Sequence, residues 1–266
     1  STCLKNKGSA VRFCLWPHMN DKKNKLRYRT IIKHFLNRLK KNFINSKHNL
    51  ITYKKYIDLS TLPLSELTDL ESYYKDNNLK IIEGYSSESN EQDKFLKSYK
   101  DSFKSILEIG FNAGHSSEIF LSNNKNVELT SIDLGYWYYT KFGVRFLSRK
   151  FKKQINVIYK DSIQALSDFS TIEENTFFDL IYIDGNHEYE YAMADMLNCK
   201  KFANSKSLVM LDDVVISDDY RSLANSGPTR VWKELVNSGY VSEIKCYHFK
   251  DVNRGVAVGK YNFNKE

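Results

Sequence analysis

The segment ILEIGFNAGHSS, Ile106 to Ser117, limits the fold more than any other part of the chain. An apolar run closes on an acid, Glu108, and two glycines, Gly110 and Gly114, then lead into a helical stretch that includes Ser116. Only a backbone without a Cβ lets a strand turn this tightly while its amides face a ligand. The segment therefore predicts a strand, a tight loop and a helix cradling a nucleotide-like molecule. A plain strand-to-helix turn makes the same demand for glycine. The glycines stand four apart with Phe111, Asn112 and Ala113 between them, so the G-x-G-x-x-G spacing of dinucleotide-binding folds is missing.

Four further apolar runs lead into acids. Val127 to Ile132 closes on Asp133, 25 residues after Glu108, where an acid at a strand tip is placed to accept from both ribose hydroxyls. Ile155 to Tyr159 runs into Asp161 and Ser162, either of which also suits the N-cap of a helix starting at Ile163. FFDLIYIDGNHEYEYA, Phe177 to Ala192, reads as a buried strand ending in Asp184, a turn, and a helix carrying His187 and Glu188. SLVMLDDV, Ser207 to Val214, reads as another strand, ending in Asp212 and Asp213. Neighbouring parallel strands deliver their carboxyl-end residues to one edge. Asp184, Asp212 and Asp213, 28 and 29 residues apart, are thus expected to converge as an oxygen-only site for magnesium, calcium or manganese. Turn and capping chemistry is the alternative use of these aspartates. His187 is a candidate general base near neutral pH, or a helix cap packed on Tyr189 or Tyr191.

An acid two residues before G-x-x-x-G resembles motif I of the class I S-adenosylmethionine-dependent methyltransferases. The resemblance implies a Rossmann-like α/β fold: a seven-stranded, mostly parallel sheet with an antiparallel last strand, here with an N-terminal helical extension. It also implies S-adenosylmethionine as cofactor, with Glu108 ordering the loop and the cofactor's ammonium group, Gly110, Asn112, Gly114 and Ser116 around its methionine end, Asp133 on the ribose, Asp161 and Ser162 near the adenine, and Asp184 also among the cofactor-binding residues. The carboxylates after the fourth and fifth strands resemble those of metal-dependent O-methyltransferases, and DGNHEYE resembles the subgroup with an Asp-Gly-x-His-x-Tyr signature, which includes sugar-modifying enzymes. Matching elements run from about Ser89 to Lys260. SNEQDKFL, Ser89 to Leu96, is similar to the segment lying across the cofactor, while GPTRVWKEL, Gly227 to Leu235, and RGVAVGKY, Arg254 to Tyr261, are similar to the closing helix and strand. Asn186 departs from the pattern, standing where relatives often carry a second acid. Metal-assisted methylation of a hydroxyl follows as the expected activity, on a sugar or glycoconjugate first and a small phenol or catechol second.

Charge divides the chain. Residues 1–48 hold 13 Lys or Arg against one acid, Asp21, whereas the whole chain carries a net charge of +8. In this arm Ile31, Ile32, Phe35, Leu36, Leu39 and Phe43 recur at helical spacing opposite Arg29, Lys33 and Lys40. Such a helix packs on a protein core, lies on an anionic membrane or grips nucleic acid. A nucleic-acid methyltransferase and a catalytically silent binding module are therefore the rival readings. Residues 49–88 are expected to form a helical cap or dimer surface, with a helix starting at Ser65 or Thr68 and ending at Asn77 and Asn78, and residues 89–266 the cofactor-binding domain with a final hairpin from about Tyr240 to Tyr261. The aromatic run GYWYYTKF, Gly135 to Phe142, offers Tyr136 or Trp137 for stacking on adenine or acceptor, or for surface packing. Cys3, Cys14, Cys199 and Cys246 are too scattered for a disulfide framework or a zinc site. With no apolar run of ~20 residues and no uninterrupted signal-type stretch, a soluble cytoplasmic protein is expected.

Overall fold

The computed structural model describes residues 68–168, 172–173, 175–215 and 223–263. The basic arm expected over 1–48 and the first part of the cap expected over 49–88 lie outside the described residues. Helix α1, Leu70–Asp76, is capped by Asp69 rather than by Thr68 or Ser65. The Asp69 carboxylate accepts from the Ser72 amide at 2.7 Å and the Ser72 hydroxyl at 2.8 Å. A charged acceptor at the positive end of a helix is stronger than a neutral hydroxyl. The helix stops at Asn77, and Asn78 turns the chain at φ 52°. Helix α2, Asn90–Lys97, is capped by Ser89.

The core domain alternates strands and helices: β1 Ser105–Ile109, α3 His115–Asn123, β2 Glu128–Asp133, α4 Tyr138–Phe151, β3 Ile155–Tyr159, α5 Ser162–Ser167, β4 Leu180–Ile183, α6 Tyr189–Cys199, β5 Leu208–Asp212, α7 Leu223–Asn237, β6 Val241–Phe249 and β7 Arg254–Tyr261. These strands form one seven-stranded sheet in the order β3-β2-β1-β4-β5-β7-β6. β1 to β5 pair in parallel, and β7 inserts antiparallel to both β5 and β6, so the last strand is the reversed one as expected. Strand order reverses between β1 and β4. Such a switch opens a crevice at the carboxyl ends of the strands.

Both faces of the sheet are covered, which is why its central strands read as unbroken apolar runs. On β1, Ile106 packs on the face shared with Tyr74, Leu96, Phe120, Tyr139 and Phe146, while Leu107 and Ile109 pack on the opposite face with Ala165, Met196, Phe202 and Trp232. Each fully buried large side chain in these layers contributes about 1.5–3 kcal/mol. Burying both faces fixes the register, so the acids at the strand tips are held at one edge.

Two local expectations change. The helix expected to carry His187 and Glu188 begins only at Tyr189, with Glu188 as its N-cap. The Asn186 side-chain oxygen accepts from the Glu188 amide at 2.9 Å, a turn that keeps His187 off the helix. The helix expected from Ile163 begins one residue earlier, at Ser162, with the Asp161 carboxylate accepting from the Gln164 amide. Among the described residues no helix is long and apolar enough to cross a membrane.

Candidate functional site

Glu108 is wholly buried on β1 and accepts hydroxyl hydrogen bonds from Ser116 at 2.6 Å, Ser117 at 2.5 Å and Ser131 at 2.6 Å. Burial pushes its carboxyl above the ordinary value, and the three hydroxyls oppose that shift by stabilising the anion. It ties the first turn of α3 to the sheet, so its part in the site is to order the loop from below.

The glycine loop itself is closed on protein groups. Gly110 sits at φ 95° and Gly114 at φ 92°, a region that side-chain-bearing residues rarely enter. A Cβ on Gly110 would collide with the Asp184 carbonyl oxygen, so the glycine allows the ends of β1 and β4 to meet. Three of the loop amides turn back onto protein acceptors. Gly110 donates to the Ile132 carbonyl at 2.8 Å, and Phe111 and Asn112 donate to Asp133 Oδ2 at 3.0 and 2.9 Å. Asp133 Oδ1 accepts from the Gly135 amide at 2.6 Å. Burial raises the Asp133 pKa, with these three amides opposing the rise. These protein acceptors fix the shape of the loop between β1 and α3.

Asn112 is occupied as well. Its side chain donates to the Gly84 carbonyl at 2.8 Å and accepts from the Tyr139 hydroxyl at 2.8 Å. Trp137 stacks on Tyr139 at 5.9 Å and 8°, with Tyr136 edge-on to Trp137, so this aromatic run packs largely on itself. Exposed apolar surface at this edge comes instead from Leu134, 53% exposed, and Tyr159, 47% exposed.

At the other side of the switch, consecutive aspartates face different ways. Asp212, the last residue of β5, accepts from Gln92 Nε2 at 2.7 Å and from the Tyr182 hydroxyl. Asp213 follows at φ 59°, which swings its carboxylate out to His187, Nε2 to Oδ2 at 3.1 Å. His187 Nε2 also lies 3.5 Å from Asp184 Oδ1. One donor atom from each of Asp184, His187 and Asp213 falls within 4.8 Å of the others. The trio expected from sequence was Asp184, Asp212 and Asp213. His187 replaces Asp212 in the donor set because Gln92 and Tyr182 hold Asp212 inward.

Electrostatics show what this cluster lacks. Burial raises the Asp184 pKa, and the neighbouring Asp212 and Asp213 charges raise it further. Burial also raises Asp213, to about 6, with Asp212 adding to the shift. His187 resists burial and is held up to about 9 by Asp184 and Asp213. The two carboxylates thus favour the imidazolium, and a cation drawing on them would lower that preference and free Nε2. Arg254 adds a second positive charge from β7, donating to Gln92 Oε1 at 3.0 Å and to the Tyr85 carbonyl at 2.9 Å. Two carboxylates and an imidazole converging in an anionic field fit a divalent cation of the magnesium-to-manganese kind, and the imidazole favours the softer end.

Asp161 and Ser162 stand at the start of α5, at the carboxyl end of β3. Ser162 faces Asp195 of α6, a residue only 1% exposed whose oxygens reach no hydrogen-bond geometry. Burial pushes the Asp195 carboxyl up to about 7 from 3.8, so the folded protein keeps a proton that the unfolded chain releases. Stability from this group is therefore fully present below the unfolded value and declines as pH rises toward the folded one. Asp195→Asn is expected to flatten the fall in melting temperature between about pH 4 and pH 7. Parallel melting profiles for the variant and the parent would contradict this account.

Gln92, Tyr182 and Arg254 escape the sequence reading. Gln92 could have been noticed as an amide on the buried stripe of an amphipathic segment, whereas Tyr182 is indistinguishable from core.

Residues 107–214 match the family model described as a methyltransferase domain. No curated protein matches the sequence. Among solved structures, the chain resembles an O-methyltransferase from Bacillus cereus in complex with S-adenosylhomocysteine, at 15% identity and TM-score 0.55 over 80% of this chain and 96% of that one. It also resembles the O-methyltransferase TomG of Streptomyces achromogenes, involved in tomaymycin synthesis and solved with S-adenosylmethionine, at 16% identity and TM-score 0.52 over 82% and 96% of the two chains. The S-adenosylhomocysteine-bound Podospora anserina methyltransferase PaMTH1 matches at 15% identity and TM-score 0.53, over 96% of this chain and 99% of that one. The fold is that of the class I methyltransferases.

Proposed function

We propose that the chain is an S-adenosylmethionine-dependent methyltransferase that methylates a hydroxyl oxygen with the help of a divalent cation held by Asp184, His187 and Asp213. The observation that carries this reading is the placement of that donor set at the carboxyl ends of β4 and β5, across the strand-order switch from the glycine loop that Asp133 holds. The methyltransferase-domain match and the O-methyltransferase likenesses support the same reaction class.

The residues divide the work. Asp133 and Glu108 shape the loop at the cofactor's ribose and methionine end, and Leu134 and Tyr159 present an apolar surface for a purine ring. Methyl transfer from a sulfonium is an in-line displacement, so the enzyme must chiefly hold the acceptor oxygen behind the methyl group. A bound divalent cation supplies orientation of the acceptor hydroxyl and a lower pKa for it. Asp184 and Asp213 provide the anionic pair, and His187, once its Nε2 proton is released, adds the nitrogen donor. We assign the acceptor to the sugar or glycoconjugate class, with small phenols or catechols second.

Calorimetric titration with S-adenosylhomocysteine is the first test, and saturable heat is expected. Absence of binding would leave a silent scaffold as the better description. Transfer of a labelled methyl group to hydroxyl acceptors, raised by manganese and suppressed by EDTA, is the expected second result.

A further inference from the structure

We propose that Asn225, in the first turn of α7, is a positioning residue that leaves Asp213 a single outward oxygen and thereby makes the donor set prefer a six-coordinate ion such as manganese over calcium. This rests on the cation reading above and concerns which ion that site takes.

Asp213 sits at φ 59°, in the left-handed region that a side-chain-bearing residue enters only when its neighbours hold it there. Two main-chain contacts do so. The Asp213 amide donates to Asp212 Oδ1 at 2.7 Å, and the Val214 amide donates to the Gly255 carbonyl at 3.0 Å. The carboxylate itself is gripped from α7. Asn225 Nδ2 lies 3.3 Å from the Asp213 carbonyl oxygen and 3.3 Å from Asp213 Oδ1. Both are acceptors, so only the NH2 edge of the amide can face them, with one hydrogen for each. Asn225 is 4% exposed, which keeps water from taking over either contact.

The helix reaches this position because residue Gly227 has no Cβ. One there would collide with the His187 carbonyl oxygen and the Tyr189 amide nitrogen. Two residues on, Thr229 Oγ1 accepts from the Val215 amide at 3.0 Å. The start of α7 therefore presses on the turn that carries His187 and holds the segment that carries Asp213. Of the two Asp213 oxygens, Oδ1 faces the Asn225 amide and Oδ2 faces His187 Nε2 at 3.1 Å. Calcium takes about six to eight oxygens in flexible arrangements and readily uses both oxygens of one carboxylate. Smaller ions take six ligands in near-octahedral order. An aspartate with one oxygen tied to an amide, beside an imidazole nitrogen, suits the second kind of ion.

The test is calorimetric titration of the full chain with manganese chloride and, separately, with calcium chloride. The unmodified protein is expected to bind manganese about tenfold or more tightly than calcium. Asn225→Leu keeps a similar volume but removes the NH2 group, and is expected to narrow that preference about five- to tenfold by freeing Asp213 Oδ1. Should the leucine variant not fold, Asn225→Ala, which cannot overfill the site, carries the same expectation. Thr229→Val loosens the same stretch of α7 without touching the Asp213 carboxylate, and is expected to lower the melting temperature and leave the ion preference unchanged. Equal affinity for the two ions in the unmodified protein, an unchanged ratio in the Asn225 variants, or an equal narrowing in Thr229→Val overturns the role of Asn225 and leaves the cation reading standing. No binding of either ion to the unmodified protein overturns both.

Discussion

Asp184→Ala is expected to abolish cation-stimulated methyl transfer, on the order of 100-fold or more, while leaving affinity for S-adenosylhomocysteine within about twofold. A cation at a reacting oxygen is worth several kcal/mol of charge stabilisation, and Asp184 is one of the two carboxylates in the proposed donor set. Its main chain serves a separate purpose. The Asp184 amide donates to the Ile109 carbonyl at 2.8 Å, and its own carbonyl packs against Gly110, and alanine preserves both. The melting temperature should hold or rise in the variant, because burial and the Asp212 and Asp213 charges disfavour the ionised carboxylate at this position. Rate, cofactor affinity and melting temperature together separate a lost ligand from a damaged fold. Equal turnover in the variant and the parent, each indifferent to EDTA, would remove the cation from the mechanism.

The same residues show how far the chain can be read before it is folded. Strands buried on both faces have few polar positions, so the acids that end them stand out. Glu108, Asp133, Asp184 and the Asp212–Asp213 pair all mark the carboxyl edge of the sheet. Alternation along a strand also implies that consecutive aspartates face opposite ways. It does not say which one turns outward, and that choice depends on the left-handed backbone at Asp213 and on Gln92 and Tyr182 holding Asp212. His187 was legible as chemistry but not as geometry. The Asn186 side chain ends the turn early enough to place the imidazole between two carboxylates instead of on a helix. Gln92 and Arg254 lie 162 residues apart in hydrogen-bond partnership, a pairing that no local pattern encodes.

Asp133→Ala is expected to weaken S-adenosylhomocysteine binding by about 3 kcal/mol, or roughly 100-fold, and to lower the melting temperature as well. From sequence, the acid at the end of β2 reads as a direct ribose contact. In the folded protein it also holds the Phe111, Asn112 and Gly135 amides, so its loss releases the glycine loop along with one ribose hydrogen bond. Alanine leaves three main-chain donors without their charged acceptor, and hydrogen bonds to charged groups contribute about 1.5–3 kcal/mol each. Part of that loss is recovered where water reaches the loop, which keeps the net effect near the value of one or two such bonds. Asp133→Asn separates the two functions, because its amide oxygen can still accept from the loop while its NH2 group opposes the amide on the other side. Its affinity is expected to fall between parent and alanine. Most of the Asp133→Ala penalty should persist for ligands lacking a ribose hydroxyl, since a disordered loop disfavours every cofactor analogue. An Asp133→Ala protein with an unaltered dissociation constant would show that neither the loop nor the ribose depends on this carboxylate.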